Sequence, residues 1–357
     1  MMKKARFHNL TIKDIRRETP SAVSIALSVP EELSEAYTFE PGQHLNFKTI
    51  IDGEEIRRSY SICTAVYEGE LRVAVKIQPY GKFSTFANKV LKVGDEVEVM
   101  TPSGLFTNEI VTNKQESYLF FAGGSGITPI MSHIKTILHT TESSNVTLVY
   151  GNRGFNDIIF REELEALKNK HMDRMNLVHV FSEEKIGNKI QEGLLNQEKV
   201  KEINDAFFKE ENFDKVFVCG PQPMILAVKE VYEGIGVDPS AIHFELFSSP
   251  DDHKKKEGVS TEKKIEANVK IILDGEETLL NIDSDGLNIL DSALNIGIDA
   301  PYSCKGGVCS TCKGKVLEGE VKMDRNYALE EDELEAGYVL TCQAHPISEK
   351  LIISYDE

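Results

Sequence analysis

Four cysteines in the last quarter of the chain carry the sharpest chemical signal. Cys304, Cys309 and Cys312 follow one another in a Cys-x4-Cys-x2-Cys run, and Cys342 stands alone further on. A plant-type [2Fe–2S] cluster takes its ligands in this pattern, three thiolates from one tight loop and a fourth from a distant segment. Gly306 and Gly307 lie between the first two cysteines. Small residues there let backbone N–H groups approach the sulfurs, which favours the reduced, more negative cluster. Structural zinc is the rival, since it also takes four cysteines. It usually takes them as two Cys-x2-Cys pairs, and Cys342 has no pair mate. Cys63 and Cys219 read as non-ligands, Cys63 as packing beside a strand.

A second set of residues has the pattern of a dinucleotide loop. The apolar run Phe120-Phe121-Ala122 enters Gly123-Gly124-Ser125-Gly126-Ile127-Thr128-Pro129. A strand running through glycines into a helix with an early proline aims N–H groups and the helix dipole at a pyrophosphate. Glycine turns after strands also arise for steric reasons alone, and this one is not the G-x-G-x-x-G fingerprint. Val216–Cys219 then ends in Gly220-Pro221, again at the carboxyl end of a strand, where open α/β sheets bind ligands. Taken alone, Cys219 reads as a buried thiol.

A third set suits a flavin. Such a site needs an aromatic face on the ring, a hydrogen bond near its reactive nitrogen, and cations or N–H groups at the pyrophosphate. Arg58, Tyr60 and Ser61 lie on one expected strand, and Gly81-Lys82-Phe83-Ser84 opens a short helix. Each is also compatible with plain alternation of surface and core.

The elements that position these residues change character along the chain. The first hundred residues or so hold short β-branched segments separated by turns such as Pro41-Gly42, Asp52-Gly53 and Gly94-Asp95, which predicts an antiparallel β-barrel. From Tyr118 to Phe247, buried-type strands alternate with helices, among them Pro129–His139 and Asp157–Lys168. That predicts an α/β doubly wound parallel sheet. Ser248–Lys264 is almost without apolar residues and reads as a linker. Beyond it, Asp274-Gly275 marks a hairpin and Asn288–Ile296 a helix, a small α+β unit. The expected boundaries are 1–115, 116–248, a linker over 249–264, and 265–357.

Composition bounds the function. Across 357 residues the formal charge is −18, which argues against nucleic acid as a partner. From Glu266 to Glu357, 7 Lys/Arg stand against 19 Asp/Glu, a net −12, so the last quarter holds most of the charge. Solubilisation is one reading of that excess, and a docking face the other. No apolar run reaches the roughly 20 residues a membrane span requires. The basic start has no apolar stretch behind it, so a cytoplasmic location is expected. No H-E-x-x-H or hydrolase pattern is present among the nine histidines.

In this order, the motifs resemble the ferredoxin–NADP⁺ reductase superfamily with a C-terminal plant-type ferredoxin domain. The resemblance covers essentially the whole chain. It implies an FAD-binding barrel, a nicotinamide domain and a β-grasp [2Fe–2S] domain. It further implies that Arg58, Tyr60 and Ser61 hold FAD, with Gly81 and Ser84 at its pyrophosphate. Gly123, Gly124, Gly126, Thr128, Cys219 and Gly220 would bind the dinucleotide, with Cys219 near the nicotinamide. Glu245 and Phe247 would flank the flavin. Tyr60, Ser61, Cys219 and Glu245 are therefore the expected catalytic residues, and Cys304, Cys309, Cys312 and Cys342 the cluster ligands.

Within the superfamily, the run from Cys304 to Cys312, Leu317–Val321, Tyr327–Leu329 and Leu340–Gln343 look like the reductase components serving oxygenases of the phenylacetyl-CoA epoxidase type. The implied route is hydride to FAD, single electrons to the cluster, then an oxygenase docked on the acidic C-terminal domain. The protein's part is orientation and electrostatics. A general ferredoxin or flavodoxin reductase, the reductase of another oxygenase, and a non-enzymatic redox sensor or adaptor are the alternatives. NADPH is the expected donor and NADH the alternative. Arg153, after the second strand of the nicotinamide domain, can meet a 2′-phosphate, and by resemblance Ser182 joins it. Arg153 pairing with Asp157 is the competing reading. Glu183 and Glu184 depart from the family's pattern, in which an arginine often follows this serine.

Overall fold

The computed structural model describes residues 6–108, 110, 114–247 and 265–357. The expected linker lies outside the described residues. Two compact units are present, one of Phe7–Ile56 and Tyr60–Glu245, the other of Arg6, Arg57–Ser59 and the described residues after Glu245.

The first unit opens with a six-stranded antiparallel sheet. Its strands are β1 (Phe7–Thr19), β2 (Ala22–Ser28), β3 (His44–Ile51), β4 (Glu54–Ser61), β5 (Leu71–Lys76) and β6 (Glu96–Met100), in the order β4-β3-β6-β1-β2-β5. The two ends of that order meet just past β4. Ile62 bridges Val73, and Cys63 N–H donates to Arg72 O over 2.9 Å, so the sheet closes on itself. Closure removes the exposed edges that an open sheet would leave. Inside lie Leu10, Ile12, Ile25, Leu45, Phe47, Val73, Val75 and Val99, all at most 1 % exposed, capped by Phe83 from α1 (Lys82–Lys89).

The chain then builds a parallel sheet from β7 (Ser117–Gly123), β8 (Asn145–Asn152), β9 (Met175–Phe181), β10 (Lys215–Cys219) and β11 (Ile242–Glu245), in the order β11-β10-β7-β8-β9. α2 (Ile127–Thr140) lays Ile130, Ile134 and Ile137 into its core. α3 (Arg161–Lys170) begins four residues later than the pattern from Asp157 predicts, because the intervening segment is spent on burying Ile158, Ile159 and Phe160. Phe160 takes the left-handed conformation (φ 60°) to do so. α4 (Gln197–Ile203) and α5 (Gln222–Gly234) complete this half, and β11 stops at Glu245, two residues short of expectation.

The second unit carries β12 (Glu266–Leu273), β13 (Glu276–Asp283), β14 (Lys313–Glu318), β15 (Val321–Met323), β16 (Tyr338–Leu340), β17 (Ala344–Pro346) and β18 (Lys350–Ser354), with α6 (Ile289–Asn295) and α7 (Glu331–Glu335). A mixed sheet runs β13-β12-β18-β14-β16, with β12 and β18 parallel, and β15 pairs β17. The predicted hairpin at Asp274-Gly275 is there, both residues at positive φ. No helix among the described residues is long and apolar enough to cross a membrane.

Candidate redox site

Strand alternation aims β4. Tyr60 is half-buried and meets Phe47 edge-on at 5.8 Å and Phe83 at 5.4 Å, so its ring is braced from two sides. Ser61, on the opposite face, is 3 % exposed and donates to Glu245 Oε2 over 3.0 Å. Arg58 is exposed, and its guanidinium donates to Arg57 O over 2.7 Å. Gly81 caps α1 with no side-chain bond, which leaves the helix's first N–H groups for another acceptor. A Cβ on Gly81 would fall 2.4 Å from Ser84 Oγ. Ser84 is turned inward, accepting from Gln78 N–H at 3.1 Å and donating to Gly81 O at 3.2 Å. The serine shapes this turn.

The glycine loop packs against the end of β10 without room for side chains. A Cβ on Gly126 would lie 2.0 Å from Cys219 O, and one on Gly123 would lie 2.6 Å from Pro221 Cδ. A Cβ on Gly220 would reach 3.0 Å from the Gly123 backbone. Gly124 is left-handed (φ 53°), Tyr150 OH donates to its carbonyl over 3.0 Å, and Thr128 Oγ1 donates to Ser125 O over 3.0 Å. The result is a backbone-walled cradle at the carboxyl ends of β7 and β10, a fit for the backbone-approached phosphates of a dinucleotide.

Strand register brings the expected catalytic groups together. Cys219 pairs with Glu245 across β10 and β11, so the buried thiol, the Glu245 carboxyl and Ser61 are neighbours. Burial, and the nearby Glu245 carboxylate, push the Cys219 thiol up, so it stays protonated. Burial pushes Glu245 up to about 8, with the Ser61 bond pulling the other way. Phe247 lies beyond β11 in the second unit and is exposed.

At the far end of β8, Arg153 is exposed and its carbonyl accepts from Glu183 N–H at 3.0 Å and Glu184 N–H at 3.1 Å. Ser182 N–H donates to Asn152 O over 2.9 Å, so all four residues share one corner. The Glu184 carboxylate accepts from Phe155 N–H at 2.7 Å. Asp157, the expected partner of Arg153, lies 4.0 Å from Lys76 Nζ. Lys76 escaped the sequence reading. It ends β5, is 13 % exposed at its side chain, and its ammonium would come 3.6 Å from a Cβ on Gly124. Burial lowers its pKa, Asp157 raises it, and Arg153 adds to the lowering. One cation, Lys76, thus stands beside the loop. A lysine ending a barrel strand gives no local signal of reaching the next sheet.

In the second unit the loop from Cys304 to Cys312 joins α6 to β14, and Cys342 follows β16. The four thiols meet as two couples, Cys304 with Cys309 and Cys312 with Cys342. Among the described residues, no three His, Cys, Asp or Glu converge on a single ion. Two thiols per iron is the division a plant-type [2Fe–2S] cluster makes. Gly306 N–H donates to Cys304 Sγ at 3.3 Å, Cys304 N–H to Cys309 Sγ at 3.5 Å, and Gln343 Nε2 to Cys342 Sγ at 3.7 Å. Such bonds from the partner thiols and nearby N–H groups hold Cys304 and Cys342 below the usual thiol range. Lys305 and Ser310 take positive φ to wrap the loop. Cys63 is elsewhere, its thiol donating to Arg72 O over 3.3 Å.

Comparison with known proteins bears on all three regions. An oxidoreductase FAD-binding domain model matches residues 10–108, an oxidoreductase NAD-binding domain model 120–230, and a 2Fe-2S iron-sulfur cluster binding domain model 271–346. A component of the 1,2-phenylacetyl-CoA epoxidase of Escherichia coli (strain K12) is 41 % identical over 98 % of each chain. The ferredoxin reductase component of the 3-ketosteroid-9-alpha-monooxygenase of Rhodococcus rhodochrous is 33 % identical over 97 % of this chain and 96 % of its own. Phthalate dioxygenase reductase, 21 % identical, shares the fold over 98 % of both chains with a TM-score of 0.57.

Proposed function

The chain belongs to the family of NAD(P)H-dependent reductase components built from FAD-binding, NAD-binding and 2Fe-2S domains, and we propose that it feeds electrons to an oxygenase of the phenylacetyl-CoA epoxidase type. The observation that carries this reading is the pair of sites in one polypeptide: Ser61, Cys219 and Glu245 side by side beneath the glycine cradle, and four thiols coupled two and two in the ferredoxin domain. Bound there, FAD would accept the two electrons of a hydride and release them singly, and the cluster would take them one at a time.

The residues divide the work. Arg58, Tyr60 and Ser61 hold the flavin, with the α1 N-terminus after Gly81 and the turn built by Ser84 at its pyrophosphate. Gly123, Gly124, Gly126, Thr128 and Gly220 form the dinucleotide cradle, joined by Lys76. Arg153 and Ser182 receive the 2′-phosphate of NADPH. Cys219 stays a neutral thiol and packs against the nicotinamide, so no ion forms where the hydride moves. Ser61 and Glu245 exchange protons at the flavin edge, and Phe247 covers that edge. The acceptor docks on the acidic ferredoxin domain, and the expected domain limits of 1–115, 116–248 and 265–357 define the three parts. A cytoplasmic setting, where thiols stay reduced, suits the cluster ligands.

The test is direct. The purified chain should hold one FAD with iron and acid-labile sulfide in equal amounts. Its flavin should bleach on adding NADPH, and it should reduce the catalytic components of phenylacetyl-CoA epoxidase. Zinc without sulfide would defeat the cluster assignment. Reduction of a flavodoxin or a free ferredoxin but not of the epoxidase would favour a general reductase.

A further inference from the structure

We infer that Ser132 and Lys135 of α2 are positioning residues that set the spacing between the dinucleotide cradle and the flavin strand, given the reading of those two regions as donor and acceptor sites of one redox step. α2 starts at Gly126, the last glycine of the cradle, so whatever fixes the helix fixes the cradle. One barrel segment, in the connection from β4 to β5 that follows Ser61, meets three successive turns of this helix. Ser132, fully buried, donates from Oγ to Thr64 O over 2.6 Å. Lys135, 5 % exposed, places Nζ 2.8 Å from Glu68 Oε2 and 2.9 Å from Glu163 Oε1 on α3. His139 stacks on Tyr67, with 3.7 Å between ring centres and 18° between planes. Positions 132, 135 and 139 recur at helical spacing, so one face of α2 is fastened to residues 64–68 of the barrel.

Spacing matters because the reacting atoms have to come within about 3–3.5 Å, and a misplacement of about 1 Å can cost on the order of a hundredfold in rate. The flavin strand and the cradle belong to different sheets, so side-chain contacts rather than strand pairing have to set their separation. Burial opposes a charge on Lys135, but Glu163 and Glu68 outweigh it and hold its pKa above the usual lysine value, so it stays an ammonium. For stability alone an apolar side chain of like volume would serve as well as such a buried ion. What the ammonium adds is direction. Its barrel partner is itself held, since Glu68 Oε2 also accepts from Ala65 N–H at 2.6 Å. The Glu68 and Glu163 side chains are 27 % and 42 % exposed, so water can take over their charges once the ammonium is removed. On another face of α2, His133 Nε2 lies 2.8 Å from Phe106 O, a contact that keeps the helix in place while the Thr64–Glu68 fastening is loosened.

Anaerobic rapid mixing of the FAD-loaded full chain with reduced nicotinamide (NADPH, or NADH should that be the faster donor) tests this. In Lys135→Met, and in Ser132→Ala as the lighter change should the first fail to fold, the limiting rate of flavin bleaching is expected to fall roughly tenfold or more. The donor concentration giving half that rate, and the FAD content, should stay within about twofold of the wild type. The long-wavelength absorbance band of stacked nicotinamide and flavin rings should weaken in parallel, a sign of spacing that needs no turnover. Lys135→Arg keeps the cation and should restore most of the rate and the band. Glu163→Ala breaks the tie to α3 but leaves the one to the barrel, and should behave as the wild type. A wild-type rate and band in Lys135→Met and Ser132→Ala, a loss confined to donor affinity or FAD content, no recovery in Lys135→Arg, or an equal loss in Glu163→Ala overturns the positioning role. A wild-type chain whose FAD is not bleached by reduced nicotinamide overturns the functional reading beneath it instead.

Discussion

The Ser61 hydroxyl donates a 3.0 Å hydrogen bond to the Glu245 carboxyl group, although 184 positions separate the two in sequence. One ends the barrel strand β4 and the other ends the edge strand β11 of the parallel sheet. A carboxyl group buried at such a junction has little water to solvate its charge, which is why its pKa rises to about 8. Burial of that carboxyl is therefore a source of pH-dependent stability, which the Ser61 bond partly offsets.

The sign of that dependence follows from proton counts. Folded Glu245 holds its proton up to about 8, the unfolded form only to about 4.5, so stability contributed by this group falls as pH rises between those values. His44 does the reverse. Its folded pKa of about 4 lies below the unfolded 6.5, so stability rises with pH over that span. The two oppose each other up to about pH 6.5, and above it Glu245 acts alone. Urea unfolding, followed by flavin release, should show the wild type losing about 2 kcal/mol relative to Glu245→Gln between pH 6.5 and 8, one proton per molecule, a comparison in which other titrating groups such as Cys304 cancel. An unchanged slope in the variant would mean that Glu245 is ionised at neutral pH.

Cluster loss should be separable from flavin reduction. Serine at Cys304 or Cys342 is expected to strip the cluster while FAD still bleaches with NADPH, because the two sites draw on different segments. Cys63→Ser should keep both, since that thiol only donates to Arg72 O in the barrel. Iron and sulfide analysis with anaerobic flavin titration checks all three variants, and cluster loss in Cys63→Ser would break the assignment.

Gly126→Ala should damage the nicotinamide cradle through backbone contact alone. Its Cβ would sit 2.0 Å from Cys219 O, so the loop or the end of β10 has to shift. A loss of roughly 1–3 kcal/mol is expected, with a raised KM for the nicotinamide and FAD content preserved. Gly234→Ala, at the end of α5 with nothing within 4 Å of its Cβ, is the control and should be neutral or slightly stabilising.

Donor choice should turn on Arg153 and Glu184. Arg153→Ala is expected to lower kcat/KM for NADPH roughly tenfold more than for NADH, as loss of one guanidinium–phosphate contact would. Glu184 accepts from Phe155 N–H, so its charge stays beside Arg153. Glu184→Gln should therefore raise the NADPH preference. Equal values for both donors in the wild type would reject this corner as a phosphate site.

Much of this was legible because the chemistry is local. Cysteine spacing reports a cluster loop, since the irons dictate how closely the chain must return. Strands such as Glu96–Met100 and Tyr118–Ala122 announce themselves by β-branched or apolar content, and the structure places them within a residue or two. The longest strand, β1, gave no such sign. Leu10 and Ile12 are followed by Lys13, Asp14, Arg16 and Arg17, broken only by Ile15, a stretch that reads as surface. α5 was missed behind Gly220-Pro221-Gln222-Pro223, although Met224, Ile225, Val228, Val231 and Tyr232 keep helical spacing. Lys76 escaped for a different reason. It lies 4.0 Å from Asp157 and beside Gly124, both on elements distant in sequence, so nothing next to it in the chain marks its place.

Docking of the acceptor should depend on the acidic face of the ferredoxin domain. The run Glu330–Glu333 starts α7, and the structure divides its charges. Glu333 is committed, paired with Lys313 at 2.9 Å and accepting from Glu330 N–H at 3.2 Å, so it supports the helix start. Glu331, Asp332 and Glu335 are exposed on the same short helix, and Glu320 is exposed as well, whereas Glu318 is paired with Lys350 at 2.9 Å. Those exposed carboxylates are the ones a basic partner would feel, and complementary charge raises the rate of encounter more than the strength of binding. Reduction of the cognate oxygenase should therefore slow steeply as salt rises, because the screening length falls from about 10 Å at 0.1 M to about 3 Å at 1 M. Reduction of an uncharged dye at the flavin should hardly change. Replacing Glu331, Asp332 and Glu335 by their amides should reproduce the high-salt rate at low salt, in the rate of association and not in the dye reaction. Glu333→Gln should instead cost stability of the domain through its lost pair. Oxygenase reduction indifferent to salt and to the triple replacement would place the docking surface elsewhere.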